Sequence, residues 1–228
     1  YITRERNPIK QYFSRRAIIY GGPLLAEDIT DEELQSLLLT LDSWLRKEAI
    51  YVETRNFSDY SRWRHVFELC GLSYQPHFDM FISCSDHDTM QARIHDSKLR
   101  QIRKSLNDGV EITEAACEKE IREFYQLLRQ LYMKKVRTPL FPLEFFTTFV
   151  AQKRGVLLLA KQNGTVIGGM LCPILQGRVL YEWYVVGPAV VTWAAMDYAN
   201  RHGIALFDLM GAGKPDVPYG VRDFKMQF

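Results

Sequence analysis

The chain has 228 residues, 47% of them hydrophobic and 25% charged, enough to bury one large core or two small ones. With 29 basic against 27 acidic side chains the formal charge is only +2, so any nucleic-acid contact would have to come from local patches. No apolar run is long enough to span a bilayer and no signal peptide is visible. The four cysteines, Cys70, Cys84, Cys117 and Cys172, make no CxxC and have no histidine at ligand spacing, so they read as reduced thiols of a cytoplasmic protein without a metal site.

Residues 1–16 hold five Arg or Lys and little periodicity, and residues 17–25 then read as a strand interrupted by Gly21-Gly22-Pro23. Thr30 with Glu33 three positions on is a capping-box pattern, and Leu34, Leu37, Leu38, Leu41 and Leu45 form the core face of the helix it starts. A second strand over 49–55, a short helix over 59–69 ending at Gly71, and a third strand over 77–83 complete an α/β half. The polar stretch 85–96 reads as a linker, which divides the chain near residue 90 into a partial first subdomain, 1–90, and a second, 91–228.

The second half opens with a helix over 97–109 that carries Leu99, Ile102 and Leu106 on one face and Arg100, Arg103 and Lys104 on another. That basic face either grips phosphates or is simply solvated. A strand over 110–114 and a long amphipathic helix over 118–135 follow, the latter with Ile121, Phe124, Leu128 and Leu131 inward. Two prolines then set Arg137 on a rigid loop before a helix over 143–154; a cation there also suits a helix C-terminus. Residues 155–161 and 165–174 are strands joined by the hairpin signal Asn163-Gly164, and a strand over 177–186 carries Glu182. Glu182 is either an outward-facing strand residue, which pattern alone favours, or a carboxylate in a cleft. An Ala-rich helix over 188–202 ends at Gly203.

The last stretch organises the rest. A buried-looking strand over 205–210 enters a loop with three glycines and two prolines, and the alternation Phe224, Met226, Phe228 reads as a returning strand. Lys214, Arg222 and Lys225 gather three cations there, suited to an anionic substrate, although ordinary turn chemistry would give the same composition. The chain starts at Tyr1 rather than Met and stops inside this strand pattern, so residues beyond both ends are expected.

Ser97-Lys-Leu-Arg-Gln-Ile-Arg-Lys104, Arg137-Thr-Pro139, Val166-Ile-Gly-Gly169, Thr192-Trp-Ala-Ala-Met196 and Phe207-Asp-Leu-Met-Gly211 leading to Phe224-Lys225 together resemble the FemABX group. Tyr20-Gly-Gly-Pro23 is similar to a strand of that group's first domain. The resemblance implies an α/β (α+β) protein of two GNAT-like subdomains, each a mixed sheet flanked by helices. It implies transfer of an amino acid from aminoacyl-tRNA to an amine of a lipid-linked or nucleotide-linked cell-wall precursor. No tightly bound cofactor is implied, and peripheral contact with the inner face of the membrane is allowed.

By position, the resemblance makes Lys225 the catalytic cation and Phe224 its neighbour at the donor end. It brings Arg137 to the precursor's phosphates, places Asp208, Tyr219, Arg222 and Lys214 around the same cleft, and gives Glu182 the role of base or amine-orienting group. The chain departs from the group in having one residue between Val186 and Pro188 and no inserted coiled-coil pair. It also lacks the Arg/Gln-x-x-Gly-x-Gly loop of CoA-dependent GNAT enzymes. Acyl-CoA as donor to a sugar or amino-acid amine, and a non-catalytic module holding an anion on Lys98 to Lys104, stand as alternatives.

Overall fold

The computed structural model describes Ile2, residues 7–136 and residues 140–228, so Arg137 lies outside the described residues. The chain forms two compact units, residues 1–75 and 76–228.

In the first unit, α1 (Pro8–Ser14) occupies a stretch in which no helical period is visible. β1 (Arg16–Gly21) and β2 (Tyr51–Asn56) pair in parallel, from Arg16 opposite Tyr51 to Gly21 opposite Asn56. The connection between them contains α2 (Asp31–Leu45), whose start is the capping box expected from sequence. Glu33 N donates to Thr30 Oγ1 at 3.2 Å, and Thr30 N donates to Glu33 Oε2 at 2.9 Å. Leu34 and Leu38 pack with Val66 and Phe67 of α3 (Arg64–Leu69), while Leu37, expected in the core, is 45% exposed.

The second unit is built on seven strands among the described residues. They are β3 (Asp79–Ser83), β4 (Val110–Glu114), β5 (Gly155–Gln162), β6 (Thr165–Leu175), β7 (Val179–Tyr181), β8 (Tyr184–Val186) and β9 (Leu206–Gly211). Their order is β3-β9-β7-β6-β5-β4, with β8 also on β6. β3, which the sequence groups with the first half, is here the antiparallel neighbour of β9. The stretch expected to be a linker contains α4 (His87–Arg93), capped by the Asp86 carboxylate, which accepts from Thr89 N at 2.7 Å.

β5 reads as an unbroken apolar run because both faces of the sheet are covered. Val156, Leu158 and Ala160 point into one core with Met170, Cys172 and residues of α5 (Asp96–Asn107) and α8 (Val190–Arg201). Leu157 and Leu159 point into the other, with Phe124 and Leu128 of α6 (Glu118–Leu131) and Phe146 of α7 (Leu143–Ala151).

The expected final strand is instead the short helix α9 (Gly220–Lys225). Phe224, Lys225 and Phe228 face inward, a helical spacing, whereas Met226, which a strand would bury beside Phe224 and Phe228, is 68% exposed.

Gly168 of β6 allows the chain leaving β8 to pass directly over it. A Cβ there would lie 2.7 Å from Val186 O and 2.9 Å from Gly187 Cα. Gly168→Ala is therefore expected to cost roughly 1–3 kcal/mol through backbone displacement. Chemical and thermal unfolding of the purified variant measure it, and an unchanged midpoint would refute the close-approach account.

Candidate active site

The strand expected over 177–186 is broken in the middle, and the break creates the site. β7 runs parallel to β9 as far as Tyr181 opposite Asp208. Glu182 N still donates across to Asp208 O at 2.8 Å, but Trp183 N turns to the other neighbour and donates to Leu171 O at 3.2 Å. β8 then pairs with β6. The side-chain alternation inverts here too: Leu180 belongs to the α5/α8 core, but Trp183 and Tyr184 both pack on the α6/α7 side, stacked at 5.7 Å. The sheet thus divides between β8 and β9, with Glu182 at the fork.

Glu182 is 8% exposed and its Oε1 lies 3.4 Å from Lys225 Nζ, itself on a 5% exposed residue. Nζ also donates to Leu209 O, to Met210 O at 3.5 Å and to Gly211 O at 3.2 Å. Three successive carbonyls converge on one ammonium because the end of β9 contains a left-handed residue, Met210 at φ 61°, whose N–H donates to Asp208 Oδ1 at 2.6 Å. Glu182 Oε2 is buried and has no hydrogen-bond partner among the described residues.

Burial pushes the Glu182 carboxyl up to about 7, against the opposing pull of the Lys225 ammonium. Asp208, 3% exposed, is likewise pushed up to about 7, first by burial. Its hydrogen bond from Met210 N opposes the rise, and the neighbouring Asp79 carboxyl adds to it. Two carboxyls of raised pKa therefore flank one buried lysine. A cavity of about 400 Å³ opens beside Lys225, lined by Asp79, Arg93, Leu209 and Lys225 among others; neither Glu182 nor Asp208 is among its lining residues. A larger one, about 670 Å³, lies where β5 begins and β6 ends, and none of the sequence-predicted site residues lines it.

Lys225, Glu182 and Asp208 are thus brought together. Lys214 and Tyr219 belong to the loop before α9, and Arg222 on α9 braces that loop: it donates to Lys214 O at 2.7 Å and to Val217 O at 2.8 Å, with its guanidinium over the Phe78 ring. The Tyr219 ring packs on Gly213. Phe224 is half-buried in the core beneath Lys98. Asp79 and Arg93 were not singled out from the sequence; a carboxylate in the alternating third strand is the one signal Asp79 gives. Lys98 is 8% exposed, so the basic face on α5 that reaches solvent is Arg100, Arg103 and Lys104 without it.

The connection from β8 to α8 is Gly187, Pro188 and Ala189. Pro188 has no N–H, and the amides of Val191 and Thr192 already donate to Pro188 O and Ala189 O at 3.0 and 3.1 Å. Such a short connection leaves few amides for a pyrophosphate.

A sheet that forks beside a strand-to-helix connection defines an acyltransferase of the GNAT class. The family model described as "Acetyltransferase (GNAT) domain" matches residues 94–226, and the chain belongs to that family. Over 99% of its length it shares the fold of FemX, at a TM-score of 0.65 and 13% identity, covering 79% of that chain. L-PGS from Bacillus licheniformis is similar at 0.61 and 10% identity, over 93% of this chain and 74% of that one. The C-terminal domain of an Agrobacterium fabrum protein described as a lysylphosphatidylglycerol synthetase aligns at 0.55 and 10% identity, over 86% of this chain and 64% of that chain. No curated protein matches the sequence. Among the described residues no helix is long and apolar enough to cross a membrane.

The raised carboxyl of Asp208 carries a sign. A carboxylic acid held at about 7 when folded binds its proton more tightly than in the unfolded chain. The stabilisation is full below the usual carboxylate range and is lost as pH rises through about 7. Asp208→Asn should therefore raise the thermal midpoint relative to the unaltered chain at pH 8.5, with the difference shrinking toward pH 5. A difference independent of pH would show that Asp208 is ionised throughout.

Proposed function

We propose that the protein forms an amide by moving an aminoacyl group from aminoacyl-tRNA to an amine of a cell-wall precursor, lipid-linked or nucleotide-linked. The observation that carries this reading is the buried Lys225–Glu182 pair at the sheet fork of a GNAT-family chain with the fold of FemX. A lipid-linked acceptor would place the chain at the cytoplasmic face of a membrane.

In this mechanism the acceptor arrives as an ammonium ion, and Glu182 Oε2, which has no partner among the described residues, takes its proton. A carboxylate poised at about 7 is a competent base at neutral pH. The neutral amine attacks the ester carbonyl of the donor, and negative charge develops on the carbonyl oxygen. Lys225 faces the adjoining cavity with its N–H groups engaged by carbonyls, so it acts as a fixed positive charge in a dry setting, where such charge is most effective. The attached nitrogen gives up its second proton to solvent, and collapse of the adduct expels the ribose oxygen, which leaves as a hydroxyl by taking the proton held on Glu182. The acid formed in the first step is thus consumed in the last.

Membership of the GNAT family favours a second reading, in which the donor is an acyl-CoA thioester and the acceptor a sugar or amino-acid amine. The short Gly187–Ala189 connection weighs against it. Purified protein with charged tRNA, and separately with acyl-CoA thioesters, against a cell-wall precursor and small amines separates the two. Transfer abolished by ribonuclease supports the first reading; transfer from thioesters alone replaces it. In the active assay Glu182→Gln should lower kcat by about 100-fold and remove the rise in rate with pH near 7. Retention of that pH limb would exclude Glu182 as the base.

A further inference from the structure

We propose that Lys98 is a positioning residue for this site: its buried ammonium grips the ring of Phe224 and so fixes the short helix that carries Lys225. The proposal rests on the reading above for its kinetic part. α9 has only six residues and no side-chain hydrogen bond at its cap, Tyr219. A helix of that length does not hold itself together, so its place must come from neighbours. α5 supplies two attachments. His95 N, at the start of α5, donates to Gln227 O at 2.9 Å, just past the end of α9. One turn further in, Lys98 Nζ sits 4.4 Å from the centroid of the Phe224 ring.

Lys98 is an unusual residue to bury. Its hydrogen bond among the described residues goes to Gln101 Oε1 at 3.3 Å, and no carboxylate there forms an ion pair with it. A desolvated ammonium without an anion is costly unless an aromatic face compensates, and Phe224 provides that face. Phe224 also packs against Phe228 at 5.3 Å, within the core that includes Ile102 and Val190. The ring is therefore held by two neighbours, and the next residue in the chain is Lys225, whose Nζ must meet three carbonyls at once.

The test compares Lys98→Met, Lys98→Arg and Phe224→Leu in the full chain. Two quantities are read: amide exchange at Met226 and Phe228, whose N–H groups bond back to Arg222 and Lys225, and steady-state transfer with whichever donor proves active. Lys98→Met and Phe224→Leu should speed exchange at those amides and lower kcat by about tenfold with KM little changed, and Lys98→Arg should restore both. Unchanged exchange in Lys98→Met, or failure of arginine to rescue, would overturn the proposal. If no donor supports transfer in any form of the protein, the functional reading falls, and exchange alone decides whether Lys98 holds α9.

Discussion

The structure of the second unit turns on one buried ammonium. Lys225 gathers the carbonyls of Leu209, Met210 and Gly211 and faces the Glu182 carboxyl, so one side chain ties down the end of β9, orients the loop that follows and balances a carboxyl at the fork between β7 and β8. Removing a charge of this kind while leaving its partner strands those acceptors in a dry interior, which is far more damaging than the net worth of the pair suggests. The left-handed turn at Met210 and the Asp208 bond to its amide serve the same convergence.

The fork in the sheet is the second constraint, and it follows from packing on both faces. Beyond Glu182 the strand would have to keep pairing with β9 while supplying aromatic side chains to the α6/α7 core, where Phe145 and Phe146 contact Trp183 and Tyr184. Placing two consecutive side chains on that face breaks the alternation, and the backbone follows β6. Gly168 accepts the resulting close passage, and Gly169 lets β6 lie close to β5 and α6: a Cβ on Gly169 would come within 2.6 Å of Leu158 O and 2.9 Å of the Phe124 ring. Catalytic geometry and core packing are here the same choice of register.

Much of this was legible in the sequence. The capping box at Thr30, the hairpin at Asn163-Gly164, the apolar runs of β5 and β6 and the Ala-rich α8 all carry local signals that tertiary structure did not override. The α/β class follows from their order, and the GNAT-like character, which the family match bears out, comes from the resemblance of the motifs. Two kinds of error have physical reasons. The segment 224–228 alternates like a strand, yet its lysine is buried by long-range carbonyls that no local pattern announces, and the helical spacing 224, 225, 228 describes it better. The polar segment 85–96 hides α4, whose one buried residue is Met90, with Ile94 buried just past its end. Of the site residues, Lys225, Glu182 and Asp208 were reached by resemblance and lie together in the structure, whereas Asp79 comes from a strand whose partner lies far along the chain.

That partnership has a kinetic side. β3 and β9 are hydrogen-bonded neighbours from Ser83 opposite Leu206 to Asp79 opposite Gly211, well over a hundred residues apart. Closing so distant a contact is slow, because the intervening chain must be ordered first. During synthesis β3 leaves the ribosome with no edge to join, while β4, β5 and β6 can already pair among themselves. The Asp79–Asp208 juxtaposition is thus among the last contacts a nascent chain can make, and the exposed edge of β3 must survive until then without pairing elsewhere.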